Sequence, residues 1–561
     1  MYNEKQLQRG EESKWKMMEQ SRQSFIRGAA ILGGAALFSK ILGAVYKIPY
    51  QNITGDEGMY VYQQVYPLYS VLLILATAGF PAAISKLVSE KWSRGQMAGV
   101  AQIFRVSLTA LSLLGAVSFL LLFFGAGQIA EWMGNRSLLT LPIQTVSFAL
   151  LAVPFLAVMR GCFQGQQNMV PTANSQMVEQ LIRVVTILVL SWYFMDAGMG
   201  VVYAGAGAVF GSITGAVGAL IVLVYYWHKA QPFPKKEAGF AVASGIEPPA
   251  EVMKNLFRLS LPICIGSLIL PLFSLADSFT VANLLVDRGL ETEEAIRLKG
   301  VFDRGQPLVQ FASFFATAIA LSIVPAISDL VSKQRVKEVE EQAVLALRLT
   351  WGLGLPAAVG LMVIAEPVNV MLYEDAAGSD ALAVLAWSGV LSSLWIVSAG
   401  VLQGLGKVYL PAVYLALGMI LKVGFNVLLI PLWDIRGASL STVLAFLCTA
   451  ILQLVKMKQH FGWKSWIPRQ ELFAAWAAVW MGIAVYVTSV VVQQIAVPFL
   501  EFRVAMMAAS LLSVLVGVMV YPWAVFRFGV WTRRDLEKVP KLRKKLVPLL
   551  DKWGWLKKER N

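Results

Sequence analysis

The sequence predicts an all-α polytopic membrane protein of fourteen transmembrane helices: two six-helix lobes related by a parallel repeat, plus two extra C-terminal helices. Three observations predict it. The 561 residues are 57% hydrophobic and only 15% charged, whereas an average soluble domain is about 25% charged. The apolar residues gather into runs that reach the ~20 residues a helix needs to cross a bilayer. Short motifs also recur in the same order in the two halves of the chain.

Taken in order, residues 1–23 are polar and mixed in charge, and the first apolar run, 26–49, is of full spanning length, so a cytoplasmic segment and no cleaved signal are expected. QNITGDEG separates that run from 60–88, and SEKWSRGQ leads on to 101–125. Runs 138–162, 171–196 and 200–228 follow, and the polar, Pro-containing stretch HKAQPFPKKE opens a connection over 229–253. The second set comprises 256–286, 302–331, 342–364, 380–403, 410–431 and 436–457, with SKQRVKE, YEDAAGSD and PLWDIRG between members and KMKQHFGWK after the last. Runs 471–494 and 502–528 complete the count, and a basic tail, 529–561, ends in KLRKKLVPLLDKWGWLKKER. Lysine and arginine gather in alternate linkers, which places SEKWSRGQ, HKAQPFPKKE, SKQRVKE, KMKQHFGWK and both termini in the cytoplasm. The same asymmetry accounts for the net charge of +14 without nucleic acid as a partner.

The repeat carries AAISKLVS (82–89) onto PAISDLVS (325–332), with Ile84 opposite Ile327. The same offset takes Arg105 in FRVSLT onto Arg348 in LRLT, and FQGQQNMVP (163–171) parallels LQGLGKVYLP (402–411) across a small gap. Six is even, so both halves enter from one side and the repeat axis runs along the membrane normal. The expected domains are an N-lobe at 24–228, the linker 229–253, a C-lobe at 254–458, and an added pair at 470–528. Such two-lobe repeats suit alternating access by rocking.

Cys162, Cys264 and Cys448 lack CxxC spacing, and His228 and His460 fall at helix ends, so neither a metal site, a disulfide framework nor a cofactor is expected. The informative residues are charges inside spans, where each costs roughly 2.5–3.5 kcal/mol on insertion scales. In FSKILGAVYK (38–47), Lys40 lies about 20 Å along a helix from Arg27, and Lys47 stands nearer the outer surface. Arg183 and Lys422 fall mid-span, and Arg304 lies near the outer end of helix 8. The acids are Glu179, Asp277 and Asp303.

Each has a structural reading beside the functional one. Glu179 and Arg183 are spaced i,i+4 and can pair on one helix. Lys47 can snorkel to the outer interface, Arg27 and Arg258 can anchor cytoplasmic helix ends, and Asp277 can neutralise a lysine of helix 1. Ser39, Gln63, Gln64 and Gln310 suit either helix–helix hydrogen bonds or a polar headgroup. Gly33, Gly34, Gly43 and Pro49 suit either close packing or a bend in helix 1. Lys40 and Arg304 are the hardest to explain as structure. Together the cations Lys40, Arg304, Lys47, Arg183 and Lys422 predict a cavity for an anion, since guanidinium and ammonium groups match phosphate oxygens. Asp277, Asp303 and Glu179 are cavity acids or coupling groups. No GxxxxGK[ST] phosphate loop occurs, so energy must come from a gradient or from the substrate. Outward movement of an anion is favoured by an inside-negative potential, about 2.3 kcal/mol per charge at 100 mV.

With FSKILG, AGFPAAISKLVSE, GCFQGQQNMVPTANSQMVEQLIRV and DRGQPLVQF in view, the chain resembles the multidrug/oligosaccharidyl-lipid/polysaccharide exporter superfamily over about residues 24–528. More closely it resembles the MurJ-type lipid II flippases, in the Gram-positive branch with YtgP and the stage V sporulation protein B. The resemblance implies a multi-pass protein of the bacterial cell membrane that moves undecaprenyl-diphosphate-muropeptide from the inner to the outer leaflet for peptidoglycan synthesis. It implies a groove for the lipid tail on the last two helices, a monomer, and cell-wall synthesis proteins as further partners. It also implies that cations on helices 1, 2 and 8 hold the diphosphate. The first helix-1 arginine of the family falls on Lys40, the second on Tyr46 beside Lys47, and the helix-8 arginine on Arg304, with Asp303 also matching. The helix-2 arginine has no counterpart in PLYSVLLILATAGF.

The runner-up is a flippase for another undecaprenyl-diphosphate glycan of capsule, teichuronic acid or spore, which needs the same anionic anchor. A cation-coupled multidrug exporter would favour an acid-rich cavity and no added helix pair. A membrane glycosyltransferase would need clustered carboxylates or histidines at one interface. A division scaffold would not need its intramembrane cations.

Overall fold

The computed structural model describes residues 31–77, 79–230, 246–462 and 469–530. The segment 1–23, Arg27, most of the 229–253 connection and nearly all of the basic tail lie outside the described residues. Every regular element among the described residues is helical. Among the described residues, eleven helical stretches are long and apolar enough to cross a membrane.

Helix α1 covers 31–45 and is followed by α2 (Lys47–Thr77), α3 (Phe80–Ser93) and α4 (Met97–Trp132). Next come α5 (Arg136–Ser147), α6 (Ala149–Gly165), α7 (Val170–Asp196) and α8 (Val201–Ala230). The second half contains α9 (Pro249–Ser267), α10 (Ile269–Asp287), α11 (Thr292–Ser332), α12 (Val336–Val363), α13 (Ala365–Tyr373) and α14 (Ser379–Gly404). It ends with α15 (Tyr409–Phe461), α16 (Arg469–Ala496) and α17 (Phe502–Arg527).

Local chemistry sets the boundaries. Asn135 caps α5 by accepting a hydrogen bond from the Leu138 amide at 2.9 Å, which satisfies one of the donors a helix start leaves unpaired. Helix α2 is broken at Gly55 (φ 68°, ψ −171°). Helix α15 is broken two residues beyond Pro431, at Trp433 and Asp434. PLWDIRG, expected as a linker, is therefore helical apart from that break. Helix α11 starts at Thr292, well before the expected 302, and so includes Lys299 within the same helix as Asp303 and Arg304.

The side chains are sorted as lipid requires rather than as water does. On α8 most of the buried residues are small, including Ala204, Gly207, Gly211 and Gly215, whereas Ile221 and Tyr225 are 65% and 60% exposed. Apolar solvent does not penalise large exposed side chains, and small residues let backbones approach closely.

The chain forms two compact units. Unit 1 comprises Met1–Tyr46 and Val61–Pro271, and unit 2 comprises Lys47–Tyr60 and Leu272–Asn561. Within unit 1, a Cβ on Gly161 would lie 2.8 Å from the Ile84 side chain and 3.0 Å from Pro81 O. Within unit 2, a Cβ on Gly404 would lie 2.8 Å from the Ile327 side chain and 3.1 Å from Val324 O. The same contact thus occurs in each, at the offset that pairs Ile84 with Ile327. This contact puts Gly161 opposite Gly404, where the FQGQ/LQGL alignment put Gly165.

Candidate functional site

Lys40 lies on α1 with its side chain exposed, between exposed Leu37 and Ile41. It makes no hydrogen bond or ion pair to any described residue. Ser39 beside it has a buried hydroxyl without a partner. Neither Gly33 nor Gly34 has a described atom within 4 Å of where a Cβ would sit, while Gly43 meets Gln180 at 3.2 Å.

The other expected cations are enclosed. In unit 1, Glu179 on α7 accepts from Arg183 at 2.6 Å and from Arg160 of α6 at 2.7 Å. The Arg183 side chain is 11% exposed and lies in electrostatic reach of Tyr62, Tyr66 and Tyr69 on α2. Glycines on α8 set this depth: a Cβ on Gly215 would stand 2.7 Å from Glu179 O, and one on Gly211 would stand 2.8 Å from Arg183 O. Tyr46 hydrogen-bonds Tyr62, and Gln64 donates to Met133 O at 2.9 Å.

In unit 2, Lys422 of α15 is 0% exposed. Its ammonium donates toward Asp277 Oδ1 of α10 at 2.7 Å, Thr442 Oγ1 at 2.7 Å, Asn426 Oδ1 at 3.1 Å and Ala438 O at 3.2 Å. Asp277 therefore neutralises a lysine of α15, not one of α1 as expected, and Lys422 faces a closed cage rather than a cavity. The break at Trp433–Asp434 turns the second half of α15 back onto the first and so brings Ala438 and Thr442 to Lys422. Asp303 receives both its bonds from Lys299, at 2.5 Å, one turn earlier on α11. Lys47 is 4% exposed and in electrostatic reach of Asp303, so it is buried rather than snorkelling.

Arg304 is 1% exposed. Its guanidinium donates to Asp375 at 2.5 and 3.1 Å, to Ala377 O at 2.6 Å, and to Asp56 of α2 at 3.3 Å. Gly300, one turn earlier on α11, has no Cβ to collide with Asp56 O and so admits this approach. Tyr373 donates to Arg304 O at 2.8 Å and presents its ring 5.1 Å from the guanidinium carbon. Burial alone would raise the Asp375 carboxyl, but the hydrogen bond and charge of Arg304 outweigh it and hold it below the usual carboxylate range.

Sequence reasoning missed Lys299, Arg160, Asp56 and Asp375. The i,i+4 spacing of Lys299 and Asp303 was a usable signal. Asp56 sits in QNITGDEG and Asp375 in YEDAAGSD, two of the linkers that the charge asymmetry leaves on the outer side, where the end of the Arg304 span was expected.

An apolar cavity of about 490 Å³ lies between α11, α12, α16 and α17. Leu308, Pro356, Leu361, Met481, Gly517 and Tyr521 are among its lining residues. Its size and lining suit a hydrocarbon ligand. Among the described residues no group of three or more His, Cys, Asp or Glu side chains could hold a metal ion.

Comparison with known proteins follows the same lines. Residues 25–331 match the family of polysaccharide biosynthesis proteins, and residues 262–428 match the MatE family. The chain is 38% identical to the uncharacterized membrane protein YabM of Bacillus subtilis, over 92% of this chain and 94% of the relative. It is 30% identical to the lipid II flippase MurJ of Bacillus subtilis, over 90% of this chain and 95% of the relative. A solved structure of lipid II flippase MurJ in an inward closed conformation aligns with a TM-score of 0.63 and 14% identity, covering 88% of this chain and 98% of that one.

Proposed function

The chain belongs to the polysaccharide biosynthesis protein family, among the MurJ-like flippases of the MOP superfamily, and from that premise we propose that it is a flippase for a diphosphate-linked polyprenyl glycan. The first reading of the headgroup is the disaccharide-peptide of lipid II, moved from the inner to the outer leaflet by alternating access. The observation that carries the reading is the apolar cavity beside α16 and α17. A polyprenyl tail needs such a surface throughout the cycle, and a multidrug exporter does not.

The breaks at Gly55 and at Trp433–Asp434, with α9 and α10 taken as one span, support a count of fourteen crossings. These make two six-helix lobes and the pair α16–α17, with both termini cytoplasmic. Lys40 supplies the headgroup's first anchor, because its exposed ammonium has no carboxylate partner among the described residues and offers a phosphate a compact point charge. Arg304 is clamped by Asp56 and Asp375, so it reaches the diphosphate only after a phosphate oxygen replaces the carboxylate of Asp375. Lys47, Arg183 and Lys422 keep the two units folded, and Asp277, Asp303 and Glu179 are their counter-charges.

The test is saturable binding of undecaprenyl-diphosphate-muropeptide by the purified protein, beside Lys40→Ala and the cavity-filling Gly517→Leu. Each variant is expected to bind at least about tenfold more weakly, a difference of ~1.4 kcal/mol, while still folding. Equal binding by all three overturns the site. Binding of another undecaprenyl-diphosphate glycan in place of the muropeptide moves the function to a capsular, teichuronic or spore precursor.

A further inference from the structure

The cage around Lys422 has a property that a plain salt bridge lacks. An ammonium has three hydrogens to donate, yet the Lys422 nitrogen faces four oxygens within 3.2 Å. They are a carboxylate, a side-chain amide carbonyl, a backbone carbonyl and a hydroxyl. All four are hard donors, and only one carries a charge. A donor set of this kind suits a spherical cation better than a tetrahedral one, and its single negative charge matches a monovalent ion.

The cage is also built independently of the lysine. Asn426 is oriented by donating to Asp277 at 3.0 Å and to Thr280 at 2.7 Å, which leaves its carbonyl aimed at the cation. Thr442 donates to Ala438 O at 2.9 Å, so its oxygen lone pairs face inward. Phe273 stacks on Phe446 at 4.3 Å, joining α10 to the second half of α15. The neighbouring Lys299 and Asp303 neutralise each other and leave the charge count of the cage unchanged.

We infer that the cage between α10 and the two halves of α15 is a monovalent-cation site whose occupant is the chain's own Lys422 ammonium. Unit 2 is therefore held in this arrangement without drawing an alkali-metal ion from solution, and shortening Lys422 opens the cage to sodium or potassium. For transport, which rests on the flippase reading, lipid movement is then independent of the sodium gradient.

The experiment measures the unfolding temperature of the full-length detergent-purified protein in sodium, potassium and choline chloride at equal ionic strength. The wild type is expected to unfold at one temperature in all three. Lys422→Ala is expected to be destabilised in choline chloride and to regain several degrees, saturably, in sodium or potassium chloride, since a ligand bound only to the folded state stabilises it. The double variant Lys422→Ala/Asp277→Asn loses that response. An alkali-specific shift in the wild type overturns the inference, as does a folded Lys422→Ala with the same unfolding temperature in all three salts. Should Lys422→Ala fold in none of them, Lys422→Ser carries the test, and a salt-indifferent Lys422→Ser overturns the inference equally. No substrate enters the measurement, so its failure leaves the lipid reading intact, and loss of lipid binding leaves the cage intact.

Discussion

Lys40 and Lys422 are both lysines in apolar helices, and the two regions around them differ in almost every other respect. Lys422 is sealed among four oxygens drawn from three helical segments. Lys40 is exposed and has no described partner. An intramembrane charge therefore does not by itself mark a transport site. What separates the two is whether a described residue supplies the counter-charge, as Asp277 does for Lys422.

The comparison is broken most severely by removing the counter-charges. Glu179→Ala strands Arg160 and Arg183 together, and Asp277→Ala strands Lys422; each is expected to destabilise by about 3–5 kcal/mol, since an uncompensated buried charge remains. Chemical unfolding or the yield of folded protein reads this, and a loss under ~1 kcal/mol would show that water reaches the cage. Gly404→Ala probes packing without charge. Its Cβ would meet Ile327 at 2.8 Å, and overpacking of this kind costs about 1–3 kcal/mol, with Gly161→Ala expected to match it in unit 1.

Smaller effects follow at the clamp on Arg304. The Asp375 carboxyl is held below its usual range, so its contribution is complete above an ordinary aspartate pKa of about 3.9. That contribution is lost only as pH falls through the lower folded value. Asp375→Asn is expected to remove that part of the acid sensitivity and to leave stability near neutral pH slightly lower, because the carboxylate is half exposed. An unchanged acid profile would assign the clamp to Asp56 alone. Lys40→Ala comes last for stability, within about 0.5 kcal/mol of wild type, although its expected effect on lipid binding is the largest of all. A substantial loss of stability at Lys40 would end the contrast with Lys422.

What the sequence made legible follows from the range of each interaction. Spanning runs, the Glu179–Arg183 pair and the recurrence of Ile84 at Ile327 depend on nearby residues or on composition, and they can be seen without coordinates. The partners of Asp277, Arg304 and Lys422 cannot. Lys422 reaches Ala438 and Thr442 only because α15 folds back at Trp433 and Asp434, and nothing in PLWDIRG says that α10, with Asp277, will lie alongside. Lys299 was within reach of the i,i+4 rule, and the late start assigned to its helix removed it. The cation-rich cavity was overdrawn for the same reason. Counting charges along a chain cannot show which of them already cancel.

The assignment of residues 47–60 to unit 2, between stretches of unit 1, has a practical consequence for anyone dissecting the gene. A cut between Pro271 and Leu272 looks like the natural way to express the halves as separate polypeptides. The downstream product would lack Asp56 and would leave Arg304 with Asp375 as its only carboxylate, while the upstream product would carry a hairpin torn from its own packing. The downstream piece expressed alone should therefore fold only when the 47–60 peptide is supplied with it.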